Sequence, residues 1–553
     1  MHCWDLLDSL LMHHSFSGDS TCLQIALDVA RDWSARFSAG SDPESLAWYD
    51  MAVGLRAARL AYLADAASRC PTVSDADIAR LLDLAQQHRE NLADDALFKG
   101  HNNHGIYQAA GQIAMGRRLH DVPGMSELAR QGKSRLMTLL DLQFTMEGVH
   151  REHSPDYHRM VLRTLYALVS NGLIDELGLL KELEKIEEAL SWFVAPNARL
   201  ANLGDSDSRD LAWSTDVARR MWRTEAMRWV VTGGATGSQS ASSRAFPESG
   251  YFVVRHPNPS GPGRESYLAF VAAFHSRVHK HADDLSLIWH EVGRPILIDA
   301  GRYGYLGKTE PGSQLWQEGY WYSAPERIYV ESTHAHNCVE IDGRTIPRKG
   351  ANSYGSAIAR CGTSGTLYFC EAEYRPQTGL RHARTLILDP GRWLIVFDWL
   401  KDNLERDHAW AQWFHFAPGS RVERTDDRYV VSCQGNGGPA LTMEVLSLAG
   451  ETVLSPVFEG AREPRLQGWW SPSERSFEPA PAVAIQGVNR TNTRVFATLL
   501  GLHGPISNAV ARVAPSGRNA TFSWRQGGTG IRIRLKRRAS GDLSLSLQQS
   551  DGC

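Results

Sequence analysis

The chain has 553 residues, which is more than one hydrophobic core usually serves, so two or three domains are expected. Its hydrophobic content of 42% and charged content of 22% are ordinary for a globular protein. The net charge of −3 gives no global basic field, which excludes binding to nucleic acid or an anionic membrane through overall charge. No run of about 18 apolar residues occurs, so we predict no membrane-spanning helix.

The eight cysteines are scattered along the chain without CxxC spacing. This distribution indicates reduced thiols rather than a disulfide framework or a cysteine-rich metal site. The first residues, MHCWDLLDSLLMHH, lack the basic region and the uninterrupted apolar run of a signal peptide. We therefore expect a cytoplasmic protein as the sequence stands, and a periplasmic or secreted one if a signal peptide has been removed.

Up to about residue 231, apolar residues recur at the spacing of an α-helix. One stripe, with separations of three or four residues, consists of Leu173, Leu177, Leu180, Leu183, Ile186, Leu190 and Phe193. Two shorter stripes consist of Ile25, Val29, Trp33 and Phe37, and of Ile78, Leu81, Leu82 and Ala85. The last stripe follows Ser74 and Asp77 in the S-x-x-D pattern of a helix start. Amphipathic helices repeated over this length predict paired helices that form a ring or a bundle.

Residues 232–247, TGGATGSQSASSRAFP, form a Gly-, Ser- and Ala-rich break that we interpret as a linker. Beyond it the apolar period falls to two, which is typical of strands. The predicted strands are Tyr251–Arg255, Tyr267–Phe274, LSLIWHE and PILID across a VGR turn, VEID and TIP around a D-G turn, and RTLILD and RWLIVFDWL across a Pro-Gly turn. We therefore predict a helical domain over residues 1–231, the linker, and an antiparallel β-sandwich domain over residues 248–553.

The first of three polar clusters is Lys99-Gly-His-Asn-Asn-His-Gly105, which lies between helical segments. Amide and imidazole donors concentrated in one place could bind a carboxylate and neutralise it. A loop that caps a helix would also use Asn and Gly, so both interpretations stand at this point. Two Asn flanked by two His are nevertheless more than a turn needs.

The second cluster is EGVHREHSPDYH at residues 147–158, directly before the helical run MVLRTLYALV. Ser154 or Asp156 can cap that helix, with Pro155 near its first turn. Tyr157 and His158 would then lie at a helix N-terminus, where the positive end of the helix dipole favours a phenolate or a bound anion. The alternative is that Tyr157 is an aromatic residue of a core or an interface.

The third cluster, HSRVHKHADD at residues 275–284, leads into a predicted strand. His279 and His281 are two residues apart, so they share one face of an extended segment. Asp299 ends the strand PILID, and His336 begins the strand HNCVEID. Two His and one Asp from different strands could bind Zn²⁺, although such triplets also occur by chance.

The motifs in their order resemble heparinase II/III-type lyases and the related oligoalginate lyases. The matching motifs, which extend over roughly residues 45–400, are NNHG, HSPDYH, GDSD at Gly204–Asp207, HKHADDLS with ILIDAG, and HAHNCVEIDG. One departure is HNCV where HNTV is frequent, and it leaves His336 in place. The resemblance implies an α/α-toroid followed by an antiparallel β-sandwich, in agreement with the change of period.

The resemblance also implies a polysaccharide lyase that cleaves a uronic-acid-containing glycan or oligosaccharide by β-elimination and leaves a 4,5-unsaturated uronate end. It assigns the uronate carboxylate to Asn103 and His104, the catalytic tyrosine to Tyr157, and a second catalytic group to His279. A structural zinc ion would be bound by His281, Asp299 and His336. Further substrate contacts are expected from Asn102, His153, His158 and a tyrosine after Asp299, for which Tyr320, Tyr322 and Tyr329 compete and Tyr322 is favoured.

This chemistry needs particular groups, because the C5–H bond of a uronate is scarcely acidic while its carboxylate stays anionic. Donors on the carboxylate would spread the developing charge, a base must reach C5–H, and an acid must protonate O4. Tyrosine suits either task if its pKa falls from about 10, and Arg151 or a protonated His150 or His153 could lower it. Tyr157 could serve as base and acid in a syn elimination, whereas for the C5 epimer His279 would take the proton from the opposite face.

Two other functions stay open at this stage. A glycoside hydrolase would need two carboxylates, for which Glu147, Glu152, Asp156 and Asp205 are available. A non-catalytic protein could bind acidic glycans through some of its 17 tryptophans. Heparan sulfate, hyaluronan, alginate and gellan-like polymers all present the same C5–H beside a carboxylate. We expect no nucleic-acid or membrane partner, and a homodimer stays open.

Overall fold

The computed structural model describes residues 2–37, 46–174, 177–272, 278–347, 356–375, 379–404, 406–433, 441–447, 452–489, 493–514, 519–537 and 542–550. The chain divides into two compact units, each built from two stretches of sequence. The first unit comprises Met1–Thr145 and Arg159–Ile186, and the second comprises Met146–His158 and Glu187–Cys553. The segment 146–158 therefore belongs with the second unit, although it lies among helices in the sequence. The predicted domain limits, with a linker at residues 232–247, stay a prediction.

Helices dominate the N-terminal part of the described chain. They are α1 (Asp8–Ser17), α2 (Ser20–Arg36), α3 (Asp50–Ser68), α4 (Asp75–Ala93), α5 (Asn103–Arg118), α6 (Met125–Gln143), α7 (Pro155–Ser170), α8 (Leu177–Ser191), α9 (Thr215–Met221) and α10 (Glu225–Val231), with α11 (Gln314–Glu318) and α12 (Pro325–Glu331) later in the chain. Among the helices that the structure describes, none is both long and apolar enough to cross a bilayer.

The helical stripes are confirmed in part. In α4, Ser74 caps the helix as predicted, because its side chain accepts a hydrogen bond from the Asp77 backbone N–H. In α2 the buried stripe includes Leu23 and Leu27, whereas Ile25 is 44% exposed, so that predicted stripe is shifted. The stripe predicted for residues 173–193 is confirmed from Leu177 to Leu190, which lie in α8, whereas Leu173 precedes this helix and Phe193 follows it.

Helix α5 is almost wholly buried and packs against α3 and α6 in the first unit. Small residues permit this close packing. A Cβ atom at Gly111 would lie 2.4 Å from the Gly54 carbonyl oxygen, and one at Gly116 would lie 2.3 Å from the Met125 carbonyl oxygen. A side chain at either position would force the helices apart, so the start of α5, which carries the NNHG motif, is held firmly in the unit.

Strands make up most of the second unit. They are β1 (Ser243–Phe246), β2 (Tyr251–His256), β3 (Ser266–Val271), β4 (Ser286–Glu291), β5 (Arg294–Leu297), β6 (Val339–Ile341), β7 (Ser356–Ser364), β8 (Leu367–Tyr374), β9 (Leu380–Asp389), β10 (Trp393–Asp402), β11 (His408–His415), β12 (Ser420–Arg424), β13 (Arg428–Cys433), β14 (Leu441–Ser447), β15 (Val453–Leu454), β16 (Trp469–Trp470), β17 (Glu478–Pro479), β18 (Ala482–Asn489), β19 (Thr493–Leu502), β20 (Ile506–Val513), β21 (Asn519–Gln526), β22 (Thr529–Arg537) and β23 (Leu543–Ser550).

The described strands pair antiparallel in several sheets. The larger ones are a five-stranded sheet β1-β2-β3-β4-β5, an eight-stranded sheet β12-β13-β14-β19-β10-β9-β8-β7, and the four-stranded sheets β15-β18-β11-β6 and β20-β21-β22-β23. The predicted Pro-Gly hairpin is confirmed as β9–β10, in which Trp393 is paired with Asp389. The predicted D-G turn follows β6, and Asp342 and Gly343 both have positive φ, as a type I′ turn requires. The predicted strand Tyr267–Phe274 corresponds to β3, and its last two residues lie outside the described residues.

Side-chain alternation along β10 sends its residues into two different cores. Leu394 and Val396 join a core shared by the five-stranded sheet, the eight-stranded sheet and the sheet that contains β11. Trp393 and Ile395 point the other way, into a core against β20–β23. In a third apolar cluster, Val149 packs against residues of the five-stranded sheet such as Tyr267. This contact holds segment 146–158 against the sheet that contains β4 and β5.

Candidate active site

Tyr157 lies in the first turn of α7. Ser154 caps this turn as predicted, because its Oγ accepts a hydrogen bond from the Tyr157 backbone N–H at 3.3 Å. The same Oγ donates to the Asp205 carbonyl oxygen at 2.8 Å, so the GDSD motif and the HSPDYH motif are joined directly. Asp156 does not cap the helix but forms an ion pair with Arg209 at 2.6 Å.

The Tyr157 hydroxyl is one end of a hydrogen-bonded chain. The Tyr305 hydroxyl donates to Asp205 Oδ2 at 3.0 Å, since an ionised carboxylate can only accept. The Tyr157 Oη atom lies 2.8 Å from Tyr305 Oη and therefore donates to it. Tyr305 was not predicted from the sequence, because it lies in the irregular segment RYGYLG, where no periodicity marks it.

His279 lies against Tyr157. The two rings are stacked, with centroids 3.6 Å apart and planes inclined by 19°. His279 Nδ1 lies 3.1 Å from Glu152 Oε2, which favours the tautomer that carries its proton on Nδ1 and leaves Nε2 to accept one. His275 of the same predicted cluster lies outside the described residues.

The backbone around His279 is strained. His279 and His153 have φ angles of 58° and 60°, in the left-handed region that non-glycine residues rarely adopt. Gly204 fits against both, since a Cβ atom there would lie 2.6 Å from the His279 carbonyl oxygen and 2.7 Å from that of His153. Asp205 completes the contact by donating its backbone N–H to the His279 carbonyl oxygen at 3.0 Å. Strain held by its surroundings in this way is characteristic of functional sites.

The electrostatics keep Tyr157 protonated. Burial and the Asp205 carboxylate raise the pKa of Tyr157 well above its ordinary value, and Arg302 opposes this shift only in part. Two of the cations that could lower this pKa, Arg151 and His150, are not available for that role. Arg151 forms an ion pair with Glu248 at 2.8 Å, and burial lowers the pKa of His150 to about 4, so that its ring is neutral near pH 7. The resting group is therefore a phenol, which suits an acid better than a base.

Asp205 is held as a carboxylate by its neighbours. Burial alone would raise the pKa of Asp205, but the Arg327 guanidinium and His281 outweigh it and hold that pKa well below its ordinary value. Arg327 Nη2 donates to Asp205 Oδ2 at 3.0 Å and to Glu331 at 2.6 Å. A carboxylate with such partners stays ionised and fixes the direction of the hydrogen bonds that end on it.

The predicted metal ligands His281, Asp299 and His336 lie together. All three are buried, and one potential ligand atom of each lies within 4.8 Å of the others. His281 Nε2 bonds to Asp205 at 2.9 Å and His336 Nδ1 bonds to Asp299 at 2.8 Å. The other ring nitrogens, His281 Nδ1 and His336 Nε2, are buried and have no hydrogen-bond partner in the described part of the chain. Burial lowers the pKa of His281, whereas the Asp299 carboxylate raises that of His336 despite its burial. The two buried ring nitrogens beside the Asp299 carboxylate could bind a metal ion.

The three tyrosines that are candidates for a substrate contact after Asp299 differ in their surroundings. Tyr322 stacks on Tyr305, with ring centroids 4.8 Å apart. Tyr320 and Tyr329 are buried, and the Tyr329 hydroxyl lies 3.4 Å from the Trp469 carbonyl oxygen. Tyr322 thus lies next to the tyrosine pair. His153 and His158 are also buried, and their expected role in substrate binding stays a prediction.

In the first unit, the NNHG motif forms the start of α5. Asn102 caps the helix, with its Oδ1 accepting from the His104 backbone N–H at 3.0 Å. Asn103 is only 6% exposed, and its amide has no hydrogen-bond partner among the residues that the structure describes. His104 Nδ1 lies 3.0 Å from Asp50 Oδ1. The capping interpretation is therefore confirmed for Asn102, and the binding of a carboxylate by Asn103 and His104 stays a prediction.

Family models match almost the whole chain. The model described as "Heparinase II/III N-terminus" matches residues 12–225, and the model described as "Heparinase II/III-like, C-terminal" matches residues 238–524. The chain belongs to the heparinase II/III-like family. Membership of the heparinase II/III-like family confirms the predicted class of enzyme, a polysaccharide lyase acting on uronic-acid-containing glycans.

Solved structures share the fold of this heparinase II/III-like chain. The heparan sulfate lyase HepC from Pedobacter heparinus is 16% identical, with a TM-score of 0.68, and the match covers 99% of this chain and 82% of that chain. A heparinase III structure is 15% identical, with a TM-score of 0.75 and the same two coverages. This likeness confirms the predicted fold, an α/α-toroid followed by an antiparallel β-sandwich. No curated protein matches the sequence.

Proposed function

We propose that this lyase performs β-elimination with Tyr157 as the acid that protonates the leaving oxygen and His279 as the base that removes the C5 proton. The observation that carries the proposal is the contact between these two groups. The ring of Tyr157 is stacked on that of His279, while its hydroxyl donates to Tyr305 at 2.8 Å. A proton donor and a proton acceptor are thus adjacent, and each has its own supporting partner.

The reaction balances with these two groups. His279 Nε2 accepts the C5 proton, the C5–H electron pair forms the C4=C5 bond, the C4–O4 bond breaks, and O4 takes the proton of Tyr157. Glu152 supports the base, because its carboxylate stabilises the imidazolium that forms. The raised pKa of Tyr157 keeps its proton available until O4 departs. In the alternative syn elimination Tyr157 would first have to lose this proton, so the two-residue route is favoured.

We assign the substrate carboxylate to Asn103 and His104. The Asn103 amide has donors that no protein group uses within the described residues, so they are available to a ligand. His104, which Asp50 holds through a contact of 3.0 Å to Nδ1, is the second group that we assign to this carboxylate. Donors of this kind stabilise the charge that appears as the C5 proton leaves.

We propose that His281, Asp299 and His336 bind zinc, and that the zinc ion is structural. The two orphaned ring nitrogens and the neighbouring carboxylate fit a zinc ion, which prefers histidine nitrogen and carboxylate oxygen ligands. When bound, the ion would link the loops after β3 and β5 to the start of β6. The proton transfers described above need no metal-bound water.

The proposed substrate is an acidic polysaccharide or oligosaccharide with uronic acid units. Relatives of known structure are named as heparan sulfate lyases, which supports testing that polymer first. Glycoside hydrolysis is a weaker candidate, because its general acid needs a carboxyl group with a raised pKa. Of the candidate carboxylates, Asp205 has a pKa held well below its ordinary value, and Asp156 is bound by Arg209.

The test is to incubate the purified protein with heparan sulfate, hyaluronan and alginate, and to record both ultraviolet absorbance and product masses. Elimination creates a conjugated C4=C5 bond that absorbs, and it adds no water. An absorbance increase with unsaturated products from at least one polymer supports the proposal. New chain ends that carry added water and do not absorb would indicate a hydrolase. Tight binding without new ends would indicate a glycan-binding protein.

A further inference from the structure

Five cations lie on the outer face of the sheet β20-β21-β22-β23. The inward side chains of this sheet, including Phe522, Ile533 and Leu535, are buried in the core against the eight-stranded sheet. The outward side chains alternate with them and face solvent. We define the basic face by the five exposed cations among them, which are Arg512, Arg525, Arg532, Arg534 and Lys536.

The C-terminal segment that forms this sheet differs in net charge from the whole chain. Residues 506–550 contain eight Arg and Lys residues but one acidic residue, Asp542, a net charge of +7 in a chain whose net charge is −3. No carboxylate forms an ion pair with any of the five cations among the described residues. Arg537, by contrast, turns inward and donates from Nε to Glu371 at 2.9 Å. The five cations of the basic face are therefore not neutralised by acidic side chains of the described residues, although the chain as a whole has more acidic than basic residues.

The strand register surrounds the cations with short neutral side chains. The pairs flanking the three cations of β22 are Thr521 and Ser546 at Arg534, Ser523 and Gln548 at Arg532, and Asn519 and Ser544 at Lys536. These hydroxyl and amide groups leave the charged ends accessible and can hydrogen-bond to sugar hydroxyls. Beside Arg532, Gly530 contributes no side chain, and the resulting depression is lined by Asn508, Arg525 and Gln549, among others.

The cations form a row along β22. Arg532, Arg534 and Lys536 alternate in the sequence, so the row is about 13 Å long at about 3.3 Å per residue. Like charges in a row repel one another, and a ligand with anionic groups along its length removes that cost. A linear polysaccharide with carboxylates or sulfates is such a ligand. The face presents no exposed aromatic ring in its described strands, and stacking platforms of that kind are what single-stranded nucleic acids use.

We infer that the basic face is a second, non-catalytic binding surface for the anionic polysaccharide on which the enzyme acts. The identity of this ligand rests on the proposed function. None of the five cations belongs to the catalytic group around Tyr157. The β22 row lies beyond residue 524, where the match to the family model ends. The surface would hold long chains while the catalytic group acts on one linkage, so it should affect polymers and not short oligosaccharides.

The test compares two triple variants with the same change in charge. The face variant carries Arg532→Gln, Arg534→Gln and Lys536→Gln. The control carries Arg36→Gln, Arg130→Gln and Arg219→Gln, at three exposed positions outside the face. For long heparan sulfate and hyaluronan chains, we expect Kd to rise about tenfold in the face variant at low salt, because exposed charge pairs each contribute a factor of about two to five. We expect kcat/KM for a tetrasaccharide to stay within about twofold of wild type, since each exposed cation lies outside the catalytic group.

A second face variant, Arg512→Gln with Arg525→Gln, covers the case in which the first folds poorly, and it should weaken polymer binding in the same way. Unchanged Kd in both face variants would overturn the inference. An equal loss in the control would also overturn it, since net charge alone would then explain the effect. Duplex DNA that competes as well as the polysaccharide would overturn the assignment to a glycan. If wild-type protein cleaves no polymer, the proposed function fails, whereas retention on immobilised heparan sulfate that the face variant loses would still support the surface.

Discussion

The hydroxyl oxygens of Tyr157 and Tyr305 lie 2.8 Å apart, and Tyr305 in turn donates to Asp205. Because Asp205 is ionised and can only accept, both hydrogen bonds have a fixed direction, with Tyr157 as the first donor. Its proton points to Tyr305 in the free enzyme, and in the proposed mechanism it turns to O4 when substrate binds. Asp205 also bonds to His281, so a single carboxylate connects the tyrosine pair with the proposed metal ligands.

Tyr305→Phe should lower kcat by about fivefold with an unchanged melting temperature, because it removes the hydroxyl that holds Tyr157 Oη in place, and a hydrogen bond contributes about 1 kcal/mol. Asp205 would keep its bonds to Arg327 and His281. The matched control is Tyr303→Phe, which removes a hydroxyl two residues away in the same segment and retains the ring that packs against Phe477. Equal turnover in wild type and Tyr305→Phe would show that the chain plays no part in proton transfer.

Glu152→Gln tests whether the Glu152 carboxylate supports His279, the proposed base. The amide can still accept from His279 Nδ1, but it no longer stabilises the imidazolium by its charge. We expect kcat/KM to fall by about 10- to 100-fold, less than the loss from His279→Ala, since a complete general base contributes about 10² to 10⁴. Steady-state kinetics of both variants on the same substrate give the comparison. A Glu152→Gln enzyme as active as wild type would leave His279 without the proposed partner.

The fold could be predicted from the sequence because each half has its own apolar period. Strand positions followed from turn residues with defined backbone demands, such as Asp342 and Gly343 with their positive φ angles. The shifted stripe of α2 shows the limit of this reasoning, since Leu23 and Ile25 are equally apolar and only packing decides which is buried.

The site could be predicted only where motifs mark it. Tyr157 and His279 stand in polar clusters, which mark both residues in the sequence although their contact is not visible there. Tyr305 and Arg327 reach Asp205 across 100 and 122 residues of sequence, and no local spacing indicates such contacts. The sequence shows cations near Tyr157 that could lower its pKa, but it does not fix their distances, and in the folded chain burial and Asp205 raise that pKa.

Removal of the metal site should affect stability more than chemistry. We expect His281→Ala to lose bound zinc and to lower the melting temperature by about 4 °C or more, since a loss of about 2 kcal/mol shifts a large domain by that amount. The pH profile of the remaining folded enzyme should match that of wild type. Elemental analysis and thermal unfolding check this. Metal-free wild-type protein, or instant loss of turnover on chelation with the fold retained, would contradict a structural zinc ion.

Neighbouring asparagines should respond differently to truncation. Asn103→Ala should reduce kcat by two or more orders of magnitude with little change in stability, as loss of an oxyanion-type donor does. Asn102→Ala should mainly destabilise the protein, by about 1 kcal/mol, because it removes the cap of α5. Kinetics and thermal unfolding of the pair separate the two roles. The reverse pattern would exchange the assignments.

Turnover of Tyr157→Phe tests the central claim most directly. The substitution removes a hydroxyl and preserves the ring that stacks on His279, so the fold and the affinity for substrate should survive. With no acid at O4, the ultraviolet signal of elimination should fall by about 10² to 10⁴, the contribution of a general acid. Binding measured on the same preparation by calorimetry distinguishes lost chemistry from lost affinity. The result that would contradict the role given to Tyr157 is a well-folded Tyr157→Phe enzyme that binds substrate and retains more than about a tenth of wild-type turnover. That is far above the residual activity expected after loss of a general acid.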